Sequence, residues 1–140
     1  VPEEDISTIL MADHGLKLYG NAVIVNTDYA KNNSDMVKKF LVAIGAGWRD
    51  AIKDPKAAAA ALVKRNPAAD AALEQRRLQL AIDANVLTDY VKANGMGGVD
   101  SSRFAAAIEQ LSETYEYKAA PNAALYFTDE YLPASGISLN

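Results

Sequence analysis

The sequence predicts a helix-dominated α/β chain with one or two strands and four to five helices, and three observations lead there. Apolar residues recur at helical spacing from Ser34 onward. Pairs of a capping residue and a proline punctuate that pattern at Asp54-Pro55 and Asn66-Pro67. One β-branched run, Ala22-Val23-Ile24-Val25-Asn26, lies between Gly20-Asn21 and Thr27-Asp28 and describes a buried strand.

Taken in order, Ile6 to Ala12 fits a strand or a short helix, closed by the turn residues Asp13-His14-Gly15. The strand Ala22 to Asn26 follows. From Ser34, a natural N-cap, the residues Val37, Phe40, Leu41, Ile44, Trp48 and Ile52 fall three or four apart on one face of a long helix. Asp35 in its first turn suits the positive end of the helix dipole. Pro55 to Arg65 is an alanine-rich helix, and Pro67 to about Asn85 a third one whose stripe of Leu73, Leu78, Leu80 and Ile82 leaves its buried side open. A fraying helical piece then ends in the loop Asn94-Gly95-Met96-Gly97-Gly98, read as a helix stop. Asp100 caps a strong helix whose core face is Phe104, Ile108, Leu111 and Tyr115, and Ala120 to Asn140 is expected to be a short helix and a tail.

Composition narrows the function. With 140 residues one modest core is expected, and a second full lobe would have to come from elsewhere. The 14 basic residues against 18 acidic ones give a net charge of -4, which offers no reason to expect a nucleic acid partner. Without cysteine there is no disulfide, thiolate chemistry or Cys-based metal site. No apolar run approaches the roughly 20 residues of a membrane-spanning helix, and Val1-Pro2-Glu3-Glu4-Asp5 lacks the pattern of an export signal. The sequence also opens without an initiator Met, so the chain is expected to be a processed or cut piece.

The lone strand points the same way. Its backbone donors and acceptors are unpaired on both edges, and burying such a group costs about 1 to 3 kcal/mol. It needs a sheet from a missing part of the protein or from a second copy of the chain.

The order of pieces carries a resemblance. The strand is followed by Tyr29-Ala30-Lys31-Asn32-Asn33, then by Gly47-Trp48-Arg49-Asp50-Ala51, Asp54-Pro55, an alanine run and Lys64-Arg65-Asn66-Pro67. Later come Gly97-Gly98-Val99-Asp100 with Arg103, and Tyr126-Phe127-Thr128-Asp129-Glu130-Tyr131-Leu132-Pro133. Over about residues 15 to 133 this succession resembles the C-terminal half of the solute-binding proteins that serve ABC importers of nitrate, sulfonates, taurine and thiamine-pyrimidine precursors.

The resemblance implies a fragment of a two-lobe periplasmic-binding-protein fold. Residues 1–21 would form the inter-lobe crossing and the end of the second lobe, and residues 22–140 the C-terminal part of the first. It implies a periplasmic binding component with a small-molecule ligand, a membrane permease and a missing N-terminal half as partners, and with neither catalysis nor cofactor. Two alternatives stand beside it. One is an enzyme of the same fold that makes the thiamine pyrimidine, weakened by one histidine and no cysteine; the other is a stand-alone helical interaction domain.

At the implied crossing, Tyr19 can stack on or hydrogen-bond a ligand, Gly20 admits close backbone approach, and Asn21 can donate to a ligand oxygen. The plain alternative is a Gly20-Asn21 turn with Tyr19 covering the core. His14 beside Asp13 suits a ligand contact or a surface turn, and alone it makes a poor metal site. Trp48 falls on an apolar stripe and reads as core. Glu74, Arg76 and Arg77, like Lys38 with Lys39 and Glu113 with Glu116, read as solvated helix faces.

Overall fold

The computed structural model describes residues 2–119 and 121–139, with the side chain of Glu3 excepted. Val1, Ala120 and Asn140, which bound the predicted crossing segment and tail, lie outside the described residues. Among the described residues there are six α-helices: α1 Thr27–Asn32, α2 Ser34–Lys53, α3 Pro55–Arg65, α4 Ala71–Ala81, α5 Asp89–Asn94 and α6 Ser101–Thr114. A π-helical turn, Ile82–Val86, extends α4, and single 3-10 turns occur at Glu3–Asp5, Met11–His14 and Ala123–Leu125. Backbone contacts divide the chain into two units, Val1–Ile24 with Val99–Thr128 and Val25–Gly98 with Asp129–Asn140.

The helices begin where short polar side chains can accept a first-turn N–H. In the second unit Asn26 accepts from Tyr29, Asp54 from Ala57, Asp70 from Leu73 and Thr88 from Val91. Two boundaries thereby differ from the sequence reading. Ser34 is not a cap, because Asn26 starts the helical course earlier and α1 leads into α2 across Asn33. The third helix begins at Ala71 and not at Pro67, since the Asp70 carboxylate takes the Leu73 N–H at 2.7 Å.

Packing in this unit runs α2 on α3 and α3 on α4. Val37 and Gly45 are the buried residues of α2, while Phe40, assigned to the same face from spacing, is 55% exposed at its edge. On α4 the inward side carries Glu74, Leu78 and Ala81, and Leu73 and Leu80 point outward. Ile82, the first residue of the π turn, is 2% exposed. The Leu87 N–H reaches back five residues to the Ile82 carbonyl at 2.8 Å, which closes the wider turn.

The glycine loop stops α5, as expected, and also receives the C-terminal segment. Met96 and Ile137 exchange backbone hydrogen bonds of 2.8 and 2.9 Å. Ile137 is buried over Gly45, where a β-carbon would collide with its side chain. Arg49 Nη1 donates to the Ser138 carbonyl at 2.8 Å, fixing the same segment to α2.

The predicted strand is corrected. Residues 22–26 form no ladder, and the Met96–Ile137 pair is the one β-bridge among the described residues. Strand structure depends on a neighbour for its hydrogen bonds, and within the described residues no backbone pairs with this segment. Nor does it coil into an interior: Ile24 is 93% exposed, and Asn26 serves α1 as a cap.

Candidate functional site

The first unit is organised around the start of α6. Asp100 accepts the Arg103 N–H at 2.7 Å and the Ser102 hydroxyl at 2.5 Å. The Ser102 hydroxyl, and after it the Arg103 amide, hold the Asp100 carboxyl below its usual range. One turn on, the Arg103 side chain leaves the helix and grips residues 17 and 18, donating from Nε to the Lys17 carbonyl at 2.8 Å and from Nη2 to the Leu18 carbonyl at 2.9 Å. Gln110, two turns further, donates to the Gly15 carbonyl at 3.1 Å.

Tyr19 is built into this arrangement. Its phenolic oxygen accepts the Asp100 N–H at 2.8 Å, and the Arg103 guanidinium lies over its ring at 4.4 Å from the centroid. Phe104 meets the ring edge-on at 6.1 Å and meets Phe127 in the same way. Tyr19 therefore holds residues 15–19 against α6. Its hydroxyl keeps one proton to donate.

Gly20 and Asn21 follow directly and are exposed, and the Asn21 carboxamide makes no hydrogen bond with the described residues. The anchored Tyr19 is thus followed by an exposed glycine and an exposed amide capable of both donating and accepting. His14 is exposed at the end of the turn Met11–His14, and its side chain takes no part in the hydrogen bonds that fix residues 15–19. No group of three or more acidic or histidine side chains converges as a metal site would among the described residues. Nor is any helix there long and apolar enough to cross a membrane.

The second unit contains an open groove of about 510 Å³ between α2, α3 and α4. Ile44, Gly47, Trp48 and Ala51 form one wall, Ala58, Ala59 and Leu62 another, and Glu74, Arg77 and Leu78 the third. Trp48 is half-buried and faces this space, so the expectation of a core tryptophan holds only in part. The solvated-face reading of Glu74 also changes, since its side chain is 17% exposed while that of Arg77, bonded to it at 2.9 Å, is 68% exposed.

Residues 2–58 match the family model described as NMT1/THI5 like. The match covers fewer than half of the 140 residues and supports the resemblance to nitrate, sulfonate and thiamine-precursor binding proteins. It takes in His14, the Tyr19–Asn21 segment, α1, α2 and the start of α3. No curated protein and no solved structure matches the chain.

Of the sequence-predicted residues, Tyr19, Gly20 and Asn21 are brought together simply by adjacency, and only Tyr19 acquires partners distant in sequence. Arg103 carries no role in the sequence reading, although its side chain bonds the carbonyls of Lys17 and Leu18 and covers Tyr19. The one signal for it was position: an arginine three residues after a capping aspartate has its backbone in the cap and its long side chain free to reach another segment.

Proposed function

We propose that this chain is the solute-binding part of an ABC importer receptor, taking a small organic or oxyanion solute of the nitrate, sulfonate, taurine or thiamine-precursor type and performing no chemistry on it. The observation that carries the reading is the match of residues 2–58 to a solute-binding family, within which lies the exposed Gly20-Asn21 pair held in place by the Tyr19–Arg103 clamp. Such a clamp keeps ligand-facing groups in position before the solute arrives, which lowers the ordering cost of binding. The receptor would act in the periplasm and deliver to a membrane permease.

The surface supports a further part of the reading, that the chain works joined to more protein. It exposes 10955 Å². Two separate compact units of its total mass would expose roughly 8,500 Å². Ile6, Ile9, Leu10, Val23 and Ile24 are among the exposed apolar groups, and the β-branched segment 22–25 has its backbone donors open. The missing half of the receptor, or a second copy of this chain, would supply the strand that pairs there.

Calorimetry with nitrate, taurine, an alkanesulfonate and an aminopyrimidine tests this, on the 140-residue chain and on the full product of its gene. Micromolar binding of one of these solutes by the full product alone is the expected result. Equal binding by the isolated chain would overturn the need for a second half. Absence of binding by both, or turnover of the pyrimidine, would overturn the receptor reading itself.

A further inference from the structure

The groove between α2, α3 and α4 is lined largely by apolar groups, yet two of its side chains carry polar capacity that the protein leaves unused. Glu74 is mostly enclosed, and its bond to Arg77 uses one carboxylate oxygen, Oε1. Arg77 reaches it from an exposed position one turn along the same helix, a pairing that water screens and that holds weakly. Trp48, the chain's one tryptophan, lines the same groove from α2, and its indole N–H donates to no described residue. Gly47 and Ala51 on the α2 wall and Ala58 and Ala59 on the α3 wall are small, which leaves space that larger side chains would fill.

A largely covered carboxylate and a tryptophan lining one apolar groove are the recognition chemistry of an organic ammonium group: the anion supplies charge, the ring quadrupole supplies a second attraction, and the apolar walls take the ligand's body. We propose that this groove is a binding site for a small organic ammonium ion carrying an aromatic or aliphatic body, with Glu74 as counter-ion and Trp48 as the ring it rests on. Arg77 is the competitor. It neutralises Glu74 when the groove is empty and swings into solvent when an ammonium ion enters. The site belongs to the second unit alone and stands or falls independently of the Gly20-Asn21 segment.

Trp48 makes the test direct, since all tryptophan emission comes from inside the groove. The full chain is titrated with phenethylammonium, and with 2-phenylethanol and phenylacetate as neutral and anionic probes of the same body. Saturable quenching by phenethylammonium, at least tenfold tighter than by the alcohol, is expected. Glu74→Gln should remove that preference, and Arg77→Gln should tighten phenethylammonium binding several-fold by releasing the carboxylate. The two variants thus move in opposite directions, which simple damage to the fold cannot imitate. Equal response to amine and alcohol would reduce the groove to an apolar surface and overturn the assignment. Preference for phenylacetate would transfer recognition to Arg77 and overturn it as well, as would a failure of any probe to saturate.

Discussion

The two units achieve order by different means. The second packs helix on helix and buries Ala30, Val37, Ala59, Ile82 and Ile137, so that apolar contact positions its elements. In the first, one helix has a single buried apolar residue, Ala107, and long side chains reach from that helix to the carbonyls of residues 15, 17 and 18. Such polar contacts are directional and individually modest, whereas apolar burial accumulates with area. The difference teaches where each unit is vulnerable. Cavities and collisions should damage the second, and loss of single hydrogen-bonding groups the first.

The sharpest break comes at Ile137. Its truncation in Ile137→Ala leaves a space over Gly45 and weakens the closure of the C-terminal segment, for an expected loss of about 2 to 4 kcal/mol. Gly45→Val attacks the same contact from the other side, forcing a side chain into Ile137, and should cost about 1 to 3 kcal/mol. Urea unfolding followed by Trp48 emission reports on this unit. Amide exchange in α6 should remain as in the unaltered chain. If α6 loosens in parallel, the units share one cooperative transition and the contrast between them is lost.

Arg103→Ala is the counterpart in the first unit. Removing two charged hydrogen bonds to carbonyls and the cover over Tyr19 should release residues 15–19 at a cost of about 2 kcal/mol, with tryptophan emission unchanged. Tyr19→Phe is a finer probe. The ring still packs on Phe104, but the Asp100 N–H loses its acceptor, for about 1 kcal/mol. Faster exchange of the Asp100 amide, with the rest of α6 unaffected, is the expected reading. A loss as large as that of Arg103→Ala would mean the phenol and not the guanidinium is the chief anchor.

How much of this was legible follows from the range of the interactions. Caps at Asp54 and Asp100 could be read because donor and acceptor lie three residues apart. Asn26 and Asp70 use the same geometry and were still missed. A β-branched run drew Asn26 into a strand, and Pro67 looked like a helix start until Asp70 competed for it. The clamp on Tyr19 joins positions more than eighty residues apart, and no local pattern encodes such a pairing. Glu74 in a run of charges gave the pattern of a solvated face, and only the packing of α2 and α3 against α4 makes it line a groove that Trp48 also lines.

The smallest effect is the one pH reveals at Asp100. Its carboxyl titrates below the usual range because the Ser102 hydroxyl and the Arg103 amide bond the charged form. A group whose folded pKa is depressed adds stability above its unfolded pKa, near 3.9, and loses it as pH falls through the lower folded value. Protection of the first turn of α6 should therefore hold to about pH 4 and decline below it. Asp100→Asn keeps an accepting oxygen at the cap while removing the titration, so the decline should flatten with the helix retained. If the variant declines as steeply as the parent, other carboxylates govern acid loosening of the first unit, and its dependence on this cap is weaker than the geometry implies.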